Sequence, residues 1–368
     1  SPEKDVYALI GSDLGKAAVC LPPHYSEAGK AGRATSTAAK VMMADTHMTL
    51  GDFGAARKVL EEVIGYAKAN PASLGLLDDY ASVFDSQNPV NKEIIFVAQF
   101  NNGATVVANY LMKRCIPAVS PNDQPAYTLP DGTASTILTT QGVGCLLMTW
   151  DLYNRLRSNP TDKRYSQMVY DRLYDASQGT SRQTEEVDVN DNGDAFTPAT
   201  LKYFDMHNQG LKTCASGCDD IIYRYADVLL MYAECLNETN ATAEAKKYLD
   251  AVRHRAGLAG TQVTSQSEMR LAIEDERLLE LCFEGHRWYD LNRTGRINKV
   301  MTAHFNHRVK GLSAPLQANN NGMAVTDCND ASGRPLEWRW NDSDGRILFP
   351  IPYSQLQLSG GWKQNPGY

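Results

Sequence analysis

One run of oxygen-bearing side chains has the spacing of a cation-binding loop. Asp188, Asn190 and Asn192 stand at alternate positions, a glycine follows, and Asp194 comes next. Calcium loops place oxygen ligands at positions one, three and five and a glycine at position six. Position twelve, where a bidentate glutamate completes such a loop, is Ala199. A calcium site that lacks this ligand and an ordinary Asx-rich surface turn both fit these residues.

Four aromatic side chains are candidates for stacking against a sugar ring. Trp150 and Tyr153 are three residues apart, a spacing that in a helix places them side by side. Trp338 and Trp340 are two apart, a spacing that in a strand points both rings to one face. Flat rings offer a sugar an apolar face at low entropy cost, although core packing explains the same residues. As a ligand platform, the pair Trp150 and Tyr153 is favoured over the tryptophan pair.

The sequence contains none of the strong catalytic motifs that were sought. It has no nucleophile elbow, no HExxH pair, no phosphate loop and no GxGxxG. Acidic residues cluster from Glu274 to Glu284, and a glycosidase needs two carboxylates. Arginines alternate with these acids at spacings that favour ion pairs on a helix, so a structural role outweighs acid–base catalysis. His304 and His307 share a helical face without further metal ligands beside them.

Composition excludes several classes of protein. The chain has 368 residues, 43% of them hydrophobic, which is enough for a substantial core. Its net charge of −7 and the lack of a basic block argue against nucleic acid as a partner. No apolar run approaches the roughly 18 residues of a membrane span. Cys20, Cys235 and Cys282 fall in helical patterns and are expected to be buried thiols. Cys214 and Cys218 are close enough in sequence for a short disulfide, and both the bonded and the free form are compatible with the sequence.

Helical hairpins are the main predicted elements. Apolar residues recur at helical spacing from Arg33 to Ala44 and from Ala55 to Ile64, and again on both sides of a polar break that begins at Asn237. Each hairpin has the length of a tetratricopeptide-type unit. A third long helix is predicted from about Ser267 to Glu284. One hairpin cannot cover its own apolar face, so the hairpins must stack.

Loop-rich stretches interrupt the helical pattern. From Pro71 to Cys218 the chain is rich in Gly, Pro, Asn, Asp and Tyr, with short predicted strands such as Glu93 to Gln99. Loops this long inside a domain usually bind something. A second such stretch runs from Val309 to Pro335 and precedes a hairpin-like pattern. The predicted fold class is therefore mainly α, with tetratricopeptide-like hairpins forming a frame that carries long irregular loops and a few short β-strands.

Several sequence blocks resemble the signature of the SusD/RagB family. In chain order, these blocks are Gly32–Thr35, Gly51–Phe53, Glu93–Phe96, Ile222–Glu238, Val252–Leu258, Glu276–Arg277 with Glu280, Phe283–Gly295, Leu348–Pro352 and Gln364–Tyr368. They occur in the family's order and span most of the chain.

The resemblance implies a single SusD-like domain with four parts. Residues 1–70 are expected to form tetratricopeptide-like helices, 71–219 a loop-rich ligand region, 220–295 further helices with the signature helix, and 296–368 a C-terminal segment of loops and a hairpin. The family's lipid-bearing cysteine and first helical segment have no counterpart in the sequence. The N-terminal part of the family fold is therefore expected to be absent.

The resemblance also implies a function. Members of this family are outer-membrane lipoproteins that bind glycans at the cell surface, sit as a lid on a SusC-like TonB-dependent transporter and do not cleave their ligands. The expectation is thus a cell-surface protein that is lipid-anchored when full length, binds an oligo- or polysaccharide and needs no cofactor. The alternatives are a helical-repeat protein-interaction module without glycan binding and, more distantly, a glycoside hydrolase.

The signature helix is expected to be structural. Arg277, Glu280 and Arg287 should form buried or half-buried ion pairs that tie this helix to its neighbours, with Trp288 packed beneath them. Ligand contacts in the family lie in variable loops, so the signature residues indicate no binding site.

Overall fold

A computed structural model describes most of the chain in separate ranges. These are residues 2–25, 32–101, 108–115, 126–127, 143, 145–175, 180–183, 198–205, 216–311, 350–359 and 361–365. Two compact units are present, Ser1–Arg287 and Trp288–Tyr368.

Two sets of helices form the frame of the first unit. The first set is α1 (Glu3–Cys20), α2 (Ser36–Thr49) and α3 (Phe53–Ala69). Each of α2 and α3 begins at a capping side chain, since Thr35 accepts a hydrogen bond from Ala38 N and Asp52 accepts one from Ala55 N. Between these helices, Gly51 has a φ of +76°, which glycine adopts at little cost and which closes the tight turn.

The second set consists of α7 (Tyr225–Glu238), α8 (Thr242–Arg255) and α9 (Gln266–Glu280). Helix α7 is central, because its residues from 225 to 237 are all buried and α3, α8 and α9 pack around it. Ala245 on α8 is fully buried, and its small side chain allows the close approach of α8 to α7. Because neighbouring elements cover it on all sides, α7 is the core of the frame.

A two-stranded sheet joins distant parts of the chain. Strands β1 (Ile94–Ala98) and β7 (Asp220–Arg224) are antiparallel, and their register pairs Ile94 with Arg224 and Ala98 with Asp220. The long segment between these strands therefore leaves and re-enters the frame at neighbouring points.

Short elements lie within that segment. The helical ones are α4 (Leu111–Cys115), α5 (Trp150–Arg157) and α6 (Lys163–Met168), while a 3-10 turn, Ala81–Val83, precedes β1. The strands are β2 (Ala126–Tyr127), β3 (Val169–Tyr170), β4 (Arg172–Asp175), β5 (Thr180–Gln183) and β6 (Ala199–Thr200). Strand β4 pairs with β2 and β5, and β3 pairs with β6, in antiparallel fashion.

The C-terminal part of the chain contains α10 (Arg287–Arg293), α11 (Ile297–Gly311) and α12 (Tyr353–Ser359). Within the second unit, the Gln364 side chain accepts a hydrogen bond from Ile351 N at 2.7 Å and donates one to Ile351 O at 2.9 Å. This double contact fixes the chain on both sides of α12.

The predicted fold class is confirmed, because the described residues are mostly helical with a few short strands. The signature helix ends earlier than predicted, at Glu280, and Phe283 has a φ of +66°, which no α-helix accommodates. None of the helices among the described residues is long and apolar enough to cross a membrane.

The cysteines follow the sequence prediction only in part. Cys235 is a buried thiol, but Cys20 is exposed and Cys282 is half-buried. The prediction for Cys20 is wrong because α1 has no buried residue and Cys20 is its last one. Cys218 is a buried free thiol, and Cys214 lies outside the described residues.

Candidate functional site

A network of buried charges lies where β1, β7, α8 and α9 meet. The Glu280 carboxylate accepts hydrogen bonds from Arg224 at 2.5 Å, from Arg164 at 3.5 Å and from Arg255. Arg224 and Arg255 also donate to Glu93, at 2.9 and 3.0 Å. All five side chains are almost completely buried. The network therefore joins β1, β7, α8 and α9 to α6, which carries Arg164.

The network extends through Lys202 and Glu284. Glu284 accepts from Lys202 at 2.6 Å and from Arg224 at 2.7 Å. Burial alone would raise the pKa of Glu280 and of Glu284, but the surrounding cations outweigh it and lower each pKa to about 2. Both carboxylates are ionised at neutral pH, and their acceptor sites are occupied by cations of the protein. This arrangement stabilises the fold and offers no surface to a ligand.

Arg277 and Arg287 lie in different environments. Arg277 on α9 donates to Asp227 on α7 at 2.7 Å, and both side chains are buried. Arg287 donates to Glu274 at 3.3 Å, with 28% and 13% of the two side chains exposed. The Arg277 pair therefore connects two helices of the core, whereas the Arg287 pair is half-buried and contributes less.

Trp150 and Tyr153 are adjacent on α5, as helical spacing requires. Their ring centroids are 5.3 Å apart in an edge-to-face arrangement. Tyr153 is fully buried, its hydroxyl donates to Asp171 at 2.7 Å, and the Arg157 guanidinium lies 4.8 Å from its ring. Neither face of this ring is open to a sugar, so the prediction of Tyr153 as a ligand platform is wrong. Trp150 is half-buried.

Replacing Tyr153 by phenylalanine should destabilise the protein by about 1–2 kcal/mol, because Asp171 is buried and would lose one hydrogen-bond donor. Tyr165→Phe is the matched control, since the Tyr165 hydroxyl donates to the same carboxylate at 2.9 Å from a half-buried position. Urea denaturation of both variants measures the difference. A larger loss for Tyr165→Phe would contradict the assignment of Tyr153 to the core.

The remaining predicted site residues cannot be placed. Asp188, Asn190, Asn192 and Asp194, and likewise Trp338 and Trp340, lie outside the described residues. Within the described ranges, no group of three or more His, Cys, Asp or Glu side chains is arranged to hold a metal ion.

A cleft of about 370 Å³ lies between the segment around the 3-10 turn, α6 and the residues after β6. Its apolar lining comes from Ala81, Phe84, Met168, Leu201 and Phe204, and its polar lining from Asp79, Ser82, Asp85, Ser86 and Gln167. The volume falls at the lower end of the range of small-ligand sites, about 300–1,000 Å³. An apolar floor with a few polar groups is the usual composition of such a site.

Hydrogen bonds fix the polar side of this cleft. The Ser82 hydroxyl donates to Asp79 at 2.9 Å, and the Gln167 amide donates to the same carboxylate at 2.7 Å. The Ser86 hydroxyl donates to Asp205 at 2.7 Å. No sequence signal marks this cleft, because its residues come from three segments about 35 to 85 positions apart and carry no motif.

The SusD family model matches residues 92–368, which is more than half of the chain. The chain belongs to the SusD family. Among curated relatives, SusD-like protein P25 of Formosa agariphila is 29% identical over 326 residues, covering 81% of this chain and 57% of that protein. SusD-like protein P2 of the same organism is 27% identical over 313 residues, covering 82% and 58%. This SusD-family chain thus spans less than two thirds of the length of these relatives.

Solved structures of the SusD superfamily have the same fold. A superfamily protein from Parabacteroides distasonis has a TM-score of 0.69 and 23% identity, covering 100% of this chain and 70% of that one. Surface glycan-binding protein A from Bacteroides thetaiotaomicron, in complex with laminarihexaose, has a TM-score of 0.67 and 20% identity, covering 98% and 70%. At these identities the likeness concerns the fold.

Proposed function

We propose that this SusD-family chain binds an oligo- or polysaccharide at the cell surface and delivers it to a SusC-like TonB-dependent outer-membrane transporter without cleaving it. The observation that carries the proposal is family membership together with a related fold that holds laminarihexaose. In the proposal, the full-length protein is lipid-anchored in the outer membrane.

The frame supports this proposal physically. Binding of a flexible sugar chain costs conformational freedom in both partners, and a rigid scaffold reduces the protein's share of that cost. The buried charge network and the β1–β7 pair hold the ends of the long intervening segment in fixed positions. Among the described parts of this segment, α6 is joined to the same network through Arg164 and therefore keeps a fixed position relative to the frame.

Glycan binding and non-catalytic action can be tested together. Affinity electrophoresis in gels containing laminarin, xylan or mannan, followed by calorimetry with the matching oligosaccharides, should show saturable binding to at least one of them. Incubation with the same glycans should release no reducing sugar. Binding to a SusC-like transporter but to none of the glycans would favour a protein-interaction module, and release of reducing ends would indicate a hydrolase.

The aromatic contacts are part of the proposal and can be tested on the same ligand. Trp150→Ala should lower the affinity several-fold, because a stacked ring contributes about 1 kcal/mol. Trp338→Ala and Trp340→Ala should have the smaller effect. Tyr153→Phe is the control, since it changes only a buried hydroxyl and should keep the affinity per folded molecule. Wild-type affinity for Trp150→Ala, with binding lost in the Trp338 and Trp340 variants, would reverse this ranking.

A further inference from the structure

We infer that the cleft between the 3-10 turn (Ala81–Val83), α6 and the residues after β6 is a subsite for an uncharged sugar unit and discriminates against anionic glycans. This inference rests on the proposed function and specifies the chemical class of its ligand. It is argued from the size of the cleft, the direction of its hydroxyl protons and the sign of its charges.

The floor of the cleft suits the apolar face of a pyranose ring. Phe84 and Phe204 line it from largely buried positions, and Leu201 is half-buried. The cleft volume of about 370 Å³ is sufficient for one or two sugar rings and too small for a folded protein segment. A small ligand with one apolar face and a polar edge is therefore the best match.

The polar side of the cleft presents oxygen atoms as acceptors. Both hydroxyl protons are donated to carboxylates of the protein, from Ser82 to Asp79 at the cleft surface and from Ser86 to the buried Asp205. The hydroxyl oxygens can then only accept hydrogen bonds from a ligand. Carboxylate oxygens also act as acceptors when ionised. A ligand rich in hydroxyl groups can donate hydrogen bonds to these oxygen atoms. A ligand that carries only acceptors would remove water from the same oxygen atoms without replacing the lost hydrogen bonds.

The charge of the cleft is negative. Asp79 and Asp85 both line it, and none of the described lining residues is a lysine or an arginine. Burial would raise the pKa of Asp79, but hydrogen bonds from Ser82 and Gln167 outweigh it and lower the pKa below its usual value. Lys202 lies behind Phe84, 5.0 Å from the ring centroid, and its ammonium group donates to Glu284 and to two backbone carbonyls. The cation nearest in effect is Lys163, which helps to lower the pKa of Asp79 but is not among the lining residues of the cleft. A uronate or a sulfate ester bound in the cleft would therefore lie against two aspartates of like charge and no lining cation.

Two variants test occupancy of the cleft. Ala81→Trp places a large side chain in the lined space, and it should lower affinity for laminarihexaose, or for whichever neutral oligosaccharide the wild type binds, by at least tenfold. Ala72→Trp is its matched control, because Ala72 is exposed and does not line the cleft. Near-ultraviolet circular dichroism confirms that each variant is folded. Should Ala81→Trp fail to fold, Ser82→Leu removes an acceptor and fills less space, and it should still weaken binding several-fold.

A charge substitution tests the discrimination. Asp79→Lys should weaken binding of the neutral oligosaccharide several-fold and raise the affinity for an oligogalacturonate of matched length. Asp78→Lys is the control, because it changes the net charge equally from an exposed neighbouring position that does not line the cleft. Both are compared at about 150 mM salt, where the Debye length is about 8 Å and long-range effects of net charge are screened.

The outcomes separate this inference from the proposed function. A wild type that binds neutral oligosaccharides more tightly than oligogalacturonate, with loss of binding in the Ala81→Trp or Ser82→Leu variant, supports both. A wild type that binds a neutral glycan while each folded cleft variant keeps full affinity overturns the inference and leaves the proposed function standing. Preferential binding of the anionic oligosaccharide by the wild type also overturns the inference. A wild type that binds no glycan contradicts both.

Discussion

Replacing Glu280 by alanine is expected to lower the free energy of unfolding by at least about 3–5 kcal/mol, the usual cost of removing one partner from a buried ion pair. Glu280 is fully buried and neutralises Arg224, Arg255 and Arg164 in part. Without it, three buried guanidinium groups each lose one hydrogen-bonded carboxylate. This loss is a large fraction of the free energy of unfolding of an ordinary domain, so we also expect the Glu280→Ala variant to express poorly in soluble form.

Glu274→Ala is the matched control for this experiment. Glu274 is on the same helix, and its side chain is 13% exposed and pairs with the half-buried Arg287 at 3.3 Å. Its replacement should lower the free energy of unfolding by about 1 kcal/mol, because the pair is partly solvated and water can take the place of the lost carboxylate beside Arg287. Equilibrium denaturation of both variants gives the comparison. Similar losses for the two substitutions would mean that burial does not set the energy of these ion pairs.

Acidification should destabilise the protein steeply between about pH 4.5 and pH 2. In the folded state the pKa of Glu280 and of Glu284 is about 2, below the value of about 4.3 expected in an unfolded chain. The unfolded state therefore binds more protons in this range, and stability falls as the pH falls. Each carboxylate contributes about 3 kcal/mol that is present above pH 4.5 and lost as the pH drops through the folded pKa.

Denaturant unfolding at pH 7, 5, 4 and 3 measures this dependence. Glu284→Gln should be less stable than the wild type at pH 7 and should lose less stability on acidification, because one of the two titrating carboxylates is gone. Wild-type and Glu284→Gln proteins with the same slope of stability against pH would show that folding does not lower the pKa of Glu284.

Much of the helical frame could be predicted from the sequence. The α2–α3 and α7–α8 hairpins follow from apolar residues at helical spacing, and the α2–α3 hairpin also from its side-chain caps and the turn glycine Gly51. The structural nature of the acidic cluster on α9 was also predictable, because arginines alternate with the acids. The fold class can be predicted without knowledge of long-range contacts, because the helical spacing of apolar residues is visible within each hairpin.

The partners of the buried charges could not be predicted. Arg164 and Lys202 lie in the loop-rich segment, far in sequence from Glu276, Glu280 and Glu284, and no periodicity marks them. The position of Tyr153 was misjudged for a similar reason. Helical spacing places it beside Trp150, but only the packing of α5 against its neighbours decides which ring is buried.

Because Ala98 and Asp220 pair in antiparallel strands, the segment between them could be replaced by a segment of different length and sequence. Paired residues in adjacent strands are about 5 Å apart, so any insert that starts and ends at these two positions meets the same short gap in the frame. The entropy of closing a loop grows only slowly with its length, and inserts of very different size would therefore cost the frame nearly the same. One constraint on such a replacement is electrostatic: it must supply cations equivalent to Arg164 and Lys202, or the buried carboxylates of α9 and Glu284 lose part of their neutralisation and depend on Arg224, Arg253 and Arg255 alone.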